Sequence, residues 1–261
     1  MGLGYYKLFV DGAKVSTHEL GAFTTYSKRV YYETIDATAA MRDAGGGNAH
    51  VIGVSIGDGW YAQASVSVGQ NTLILQASIL YTDGSTQLVT SDPATWEVSA
   101  SPVVSGDIYK GETYNASRET PGWTTPGYTG GARWAKASAM SGPSPDVKIT
   151  SHAILPPIRI AQSYTPCDMW ESSPGTFVFD FCQNMAGITT LRVPEGMANV
   201  PGATITHQHA ELIHGPKPAA IHNHYGNAPE INTYIAKGDG AAIEHTAMFT
   251  YAGFRCVCIT D

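Results

Sequence analysis

Residues 107–118 read DIYKGETYNASR and set two acids, Asp107 and Glu112, beside Tyr114, the amide Asn115 and the guanidinium Arg118. Trp123 and Trp134 follow in a stretch punctuated by Pro121-Gly122 and Pro126-Gly127. Aromatic rings stack on the apolar faces of sugars while carboxylates and amides take the hydroxyls, so this set has the ingredients of a sugar site. The oxygens of Asp107 and Glu112 would also suit calcium. A structured loop held by its own aromatic residues is the alternative. Asn115-Ala116-Ser117 is formally a glycosylation acceptor, meaningful in a secreted chain.

A second set surrounds residues 177–187, FVFDFCQNMAG. Phe177, Phe179 and Phe181 alternate, which predicts a strand with an aromatic face turned to a core. Asp180 then lies on the opposite face and needs a specific partner, because a carboxylate removed from water is costly unless paired. Asn184 at the following polar corner and Arg255 complete a cluster whose expected role is structural, with Arg255 tying the Asp180 corner. His207, His209 and Glu211 share one strand face, with His214, His222 and His224 beyond them. His207 and His209 make a zinc candidate, although the spacing is no recognised zinc signature.

These residues need a β framework. Charged residues are 14% of the 261, and 28 glycines and 15 prolines punctuate the chain, which suits a turn-rich β protein. The formal charge of −7 argues against a phosphate-backbone partner, so nucleic acid is not expected. No apolar run has the length to cross a bilayer as a helix, so no membrane role is expected. Four cysteines, Cys167, Cys182, Cys256 and Cys258, are too few for a disulfide scaffold and read mainly as buried thiols, with room for one bridge.

Asp11-Gly12 and Asp83-Gly84, each between apolar runs, predict two hairpins. A helical turn or two is expected over residues 37–43, ended by Gly45-Gly46-Gly47. Short strands with turn signals at this spacing indicate an all-β chain of two jelly-roll or sandwich domains in tandem, 1–147 and 148–261. The boundary follows the Pro/Gly-punctuated stretch 138–145. A strand beginning at residue 5 also suggests that an upstream strand is missing.

Eight stretches in register then carry a resemblance: HELGAFTTYSKRV (18–30), IGDGWY (56–61), DIYKGETYNAS (107–117), ILPPIRI (154–160), FVFDFCQNMAG (177–187), HAEL (209–212), NTYI (232–235) and FTYAGFR (249–255). Together they resemble the non-catalytic β-sandwich modules that precede the catalytic domain in α-L-rhamnosidases of glycoside hydrolase family 78. The resemblance implies an N-terminal-like jelly roll over 1–147 and a concanavalin-like sandwich over 148–261. It adds His209, Glu211 and Tyr251 to the second set. It also implies an extracellular setting and L-rhamnose-containing glycans as partners, with no cofactor required beyond the calcium considered above. The family's catalytic α/α barrel has no counterpart here, so the expected function is carbohydrate-binding or structural. The alternatives are an active α-L-rhamnosidase whose barrel lies outside this chain, and a protein interaction module. Where Cys182 stands, the family normally carries glycine.

Overall fold

The computed structural model describes residues 1–43, 49–62, 68–198, 200–217, 220–222 and 228–260. Strands dominate, and the chain divides into two compact units. The first comprises residues 1–100 and 120–158, the second 101–119 and 159–261.

In the first unit, Tyr5–Val10 turns at Asp11-Gly12 into Ala13–Lys14 and pairs on its other side with Ile52–Gly57. Asp11 and Gly12 both take positive φ, as this tight hairpin demands. The hairpin Gln76–Leu80 with Thr86–Thr90 closes through a longer loop, residues 81–85, in which Gly84 alone takes positive φ. Arg29–Tyr32 and Lys148–Ser151 run parallel, which brings residues 119 positions apart in sequence into register. A short helix, Thr38–Asp43, occupies the expected place; the Gly45-Gly46-Gly47 stop lies outside the described residues.

The second unit is built on a seven-stranded sheet in the order Val103–Asp107, Gly111–Asn115, Ile231–Ile235, Thr204–Ala210, Ala252–Thr260, Thr176–Gly187 and Asp168–Ser173. Two of these strands come from the 101–119 segment. A linear boundary at 147/148 therefore does not describe the molecule. Backbone pairing decides the matter: Gly111–Asn115 hydrogen bonds in parallel with Ile231–Ile235, placing Tyr114 opposite Tyr234. The core beneath gathers Ala116, Leu191, Tyr234 and Ala236.

The Phe177 strand forms with its faces reversed from expectation. Phe177 is 39% exposed and Phe179 and Phe181 are half-buried, while Val178 at 0% and Asp180 are enclosed. The alternation was legible, but alternation does not say which face is buried. Both faces have the same two neighbouring strands, Asp168–Ser173 and Ala252–Thr260, with Phe177 opposite Ile259 and Val178 opposite Cys258, so the choice is made by what packs above and below the sheet.

The cysteines divide between the two states that the sequence left room for. Cys167 and Cys182 form a disulfide, while Cys256 and Cys258 stay free. Cys182 has φ +60, a conformation that favours glycine, at the irregularity where pairing with Ala252–Thr260 shifts between Asp180 and Met185. A glycine would sit there without strain; here a cysteine accepts the strain and is bridged to Cys167.

The turn into Gly111–Asn115 has less tolerance. Gly111 has φ +99, and a β-carbon there would run into the Ile231 carbonyl. Gly111→Ala is expected to lower unfolding free energy by about 2–3 kcal/mol, read as a lower urea midpoint at unchanged slope.

Candidate functional site

The first set is divided between the two compact units. Trp123 and Trp134 belong to the first unit, whereas Asp107, Glu112, Tyr114, Asn115 and Arg118 belong to the second. Trp123 packs edge-on against Phe9 at 5.8 Å and covers Gly53, where its ring carbon would stand 2.7 Å from an added β-carbon. Trp134 lies 6.2 Å from Trp123 and against Tyr128. These rings anchor a loop, the alternative that the sequence left open.

Glu112 is the clearest departure. It is 1% exposed, and both carboxylate oxygens accept the Met248 amide, at 3.1 and 3.0 Å, with Phe249 adding a third bond at 2.9 Å. Its own backbone N–H donates to Asn232 Oδ1 at 2.9 Å. A carboxylate so committed does not suit a sugar hydroxyl or calcium, since either would have to displace buried amide donors. His245 Nε2 stands 3.8 Å away, but burial pushes that imidazole down to about 4. At neutral pH it is uncharged, so the contact is not an ion pair.

The other members of the set shape their own turns. Asp107 Oδ1 accepts the Tyr109 and Lys110 amides at 2.8 and 3.1 Å. Asn115 caps the 3-10 turn Ala116–Arg118 by accepting the Ser117 amide at 3.0 Å, leaving Arg118 exposed at its end. Tyr114 stacks on Tyr234, with interplanar angle 15°, and donates to Glu119 at 2.7 Å. Sequence spacing collected these residues because a β-hairpin and its flanking turns use the same polar types that a sugar site does.

The second set splits in two. Arg255 grips Asp180 bidentately, Nε to Oδ1 at 2.9 Å and Nη2 to Oδ2 at 2.8 Å, and the Cys182 amide donates to Oδ1 at 2.8 Å. The Arg255 guanidinium is the main reason that the Asp180 carboxyl lies below the usual carboxylate range. Beside it, burial and then the Asp180 charge push the Cys256 thiol up to about 12, which keeps it protonated.

The remaining members line or border a small cleft. His209 and Tyr251 line it together with Thr189, Asn232 and Glu230. Asn184 donates to Glu211 at 3.0 Å, and the Glu211 charge acts on Glu230. Both His209 ring nitrogens are engaged, with Thr189 Oγ1 at 3.0 Å and the Glu230 carbonyl at 2.6 Å. That occupation removes His209 as a ready zinc ligand. His207 is buried with Nε2 unpartnered, and the three-ligand cluster found among the described residues is instead Cys167, Asp180 and Cys182, two of which are bonded to each other. His224 lies outside the described residues.

Glu230 is the functional candidate that sequence reading passed over. It takes φ +49, a strained value for a side chain of its size, and one carboxyl oxygen is buried without a partner. Burial raises its pKa; the Gly253 amide opposes this and Glu211 adds to it. A raised carboxyl on strained backbone in a cleft is a recognised mark of function. In sequence the residue is one acid after Pro229, with no pattern to single it out.

Comparison with known proteins places this geometry. The profile described as the alpha-L-rhamnosidase N-terminal domain matches residues 1–162, and that of the bacterial alpha-L-rhamnosidase concanavalin-like domain matches 170–261. The chain belongs to the bacterial α-L-rhamnosidase family. An α-L-rhamnosidase of Streptomyces avermitilis is 33% identical over 99% of this chain, and one of Formosa agariphila is 32% identical over 97%. The chain spans about a quarter of their length, 24% and 27%. The solved α-L-rhamnosidase of Dictyoglumus thermophilum superposes with a TM-score of 0.84 at 31% identity, over 99% of this chain and 28% of that one. The Streptomyces avermitilis enzyme, solved in complex with L-rhamnose, gives 0.85 at 32%, over 100% and 25%. Within this rhamnosidase family unit, the profile boundary at 162 also falls after residue 147, in the direction of the compact-unit boundary at 158.

Two outcomes follow for the buried groups of this α-L-rhamnosidase-family chain. Glu112→Ala leaves the Met248 and Phe249 amides without acceptors and should cost about 3 kcal/mol in urea unfolding, while Asp107→Ala, at an exposed turn, costs under about 1 kcal/mol. Burial lowers the His207 pKa from 6.5 to about 4, so the unfolded chain binds the proton first as pH falls. Stability is therefore full above about 6.5 and declines toward about 4; His207→Gln should remove about one proton from the slope of stability against pH in that window.

Proposed function

We propose that this chain is the non-catalytic β-sandwich portion of an α-L-rhamnosidase-like protein, binding L-rhamnose-containing glycans and bracing the part of the protein that does the chemistry. The observation that carries the reading is the fate of the carboxylates. Glycoside hydrolysis uses two carboxyls facing each other across an open cleft. Glu112 is consumed by buried amides, Asp180 by Arg255 and the Cys182 amide, and Asp107 holds its own turn. Such commitments suit a framework. The sugar class is supported by the Streptomyces avermitilis relative, whose structure contains L-rhamnose.

The second reading is that the whole protein hydrolyses terminal α-L-rhamnosides. It is favoured by the curated relatives, each an α-L-rhamnosidase about four times as long as the matched region. Glu112 spends both carboxylate oxygens on buried amides, which speaks against it as a calcium ligand. The Cys167–Cys182 bridge supports an oxidising, extracellular setting.

Calorimetry with methyl α-L-rhamnopyranoside tests the proposal, run in calcium and again in chelator, alongside p-nitrophenyl α-L-rhamnopyranoside as a chromogenic substrate. Saturable heat in both buffers without nitrophenol release is expected. Turnover by this chain alone would sink the non-catalytic reading, and absence of binding heat would sink the sugar-binding one.

A further inference from the structure

The corner that carries the Cys167–Cys182 bridge is held by more than its sulfur atoms. The Cys167 amide donates to the Asp180 carbonyl at 2.8 Å, and the Cys182 amide donates to Asp180 Oδ1 at 2.8 Å. Arg255 fixes Asp180 in turn through two bonds of its own. None of these contacts uses the S–S bond, so opening it leaves two thiols side by side on backbone that Asp180 still tethers. Both cysteines are exposed and within reach of a reductant.

The reduced corner has the ligand set of a metal site. The two Sγ atoms and a carboxylate oxygen of Asp180 lie within 4.8 Å of one another. Ligands on a tetrahedral zinc ion stand about 3.5–3.8 Å apart, given bonds of about 2.3 Å to sulfur and about 2.1 Å to oxygen, so small side-chain rotations suffice once the sulfurs part. The Cα atoms, 6.2 Å apart, lie toward the wide end of the range for bridged cysteines and leave room for that parting. Asp180 also has capacity for the ion. A carboxylate offers about four acceptor positions; Arg255 and the Cys182 amide fill three, and the fourth faces the Cys256 thiol at 3.7 Å, a weak donor.

Charge selects the kind of ion. Two thiolates and one carboxylate are balanced by a divalent cation together with the Arg255 guanidinium, so the filled site carries no uncompensated charge. Thiolate ligands favour zinc and cadmium over magnesium and calcium.

We propose that in the reduced chain Cys167, Cys182 and Asp180 bind one thiophilic divalent cation of the zinc class, with water completing the tetrahedron. A dithiol reductant opens the bridge, giving two cysteine thiols and leaving as its own disulfide. The cation then binds both sulfurs as thiolates and releases two protons to solvent. The corner is a disulfide in an oxidising compartment and a metal centre in a reducing one. This inference does not depend on the sugar-binding reading.

The test is anaerobic cadmium titration of the full chain, once with the bridge intact and once after treatment with dithiothreitol and its removal. The reduced chain should take up one cadmium ion with an ultraviolet sulfur-to-metal charge-transfer band, about 100-fold or more tightly than the bridged chain. The bridged chain keeps Cys256 and Cys258 free and so controls for them. Circular dichroism should show the β spectrum kept in the loaded chain, and its cadmium-113 resonance should be that of two sulfurs completed by oxygens. Asp180→Asn should weaken uptake by about tenfold. The wild-type resonance and spectrum decide the matter even if that variant does not fold. Equal affinity in the bridged and reduced chains puts the ion elsewhere and overturns the inference. No uptake by the reduced chain, uptake with loss of the β spectrum, a resonance of another ligand set, or a folded Asp180→Asn chain with unchanged affinity each overturns it as well.

Discussion

The Glu112 carboxylate, enclosed and bonded to the amides of Met248 and Phe249, fixes how the second unit is assembled. A buried charge has few acceptable arrangements, because each lost hydrogen bond exposes a desolvation cost that the others do not cover. Its three amide bonds tie residues 136 and 137 positions away to the strand Gly111–Asn115. Asn232 holds the same strand from its other neighbour through the Glu112 amide. Together with the absence of room at Gly111, these contacts admit one register, and they carry the 101–119 segment out of its sequence neighbourhood into the later sheet.

Asp180 plays a comparable part at the other side of that sheet. Its carboxylate receives Arg255 and the Cys182 amide, while its carbonyl accepts the Cys167 amide at 2.8 Å. The disulfide therefore joins two residues that already bond to the same aspartate. Cross-linking a span of 15 residues restricts the unfolded chain, an effect worth about 3 kcal/mol in the chain-entropy account. This is larger than the roughly 1–2 kcal/mol expected for a left-handed cysteine, so the bridge can hold a corner that glycine would adopt freely.

The two units thus treat polar groups differently. In the sheet of the second, Glu112 serves backbone donors and Asp180 a guanidinium, while Glu230 has a buried carboxyl oxygen without a partner. In the first, Glu33 accepts from the Tyr6 hydroxyl and stands beside the rings of His18 and His152, and His152 Nε2 is buried without a partner.

Local pattern was enough for the all-β class, the Asp-Gly hairpins and the alternation along residues 177–181, because turn chemistry and a period of two are properties of neighbouring residues. Eight ordered stretches were enough for the family. The sequence could not say that the Val178 face rather than the phenylalanine face is enclosed, since that follows from what packs above and below the sheet. Nor could it separate a sugar-binding Glu112 or Trp123 from a structural one, as the same residue types serve both ends. Only tertiary structure decided those roles, because the partners that consume Glu112 come from position 248 onward and the contacts that seat Trp123 come from Phe9 and Gly53. Glu230 and the Glu33 cluster were invisible for the same reason: burial, strain and an unpaired atom arise only once distant segments meet.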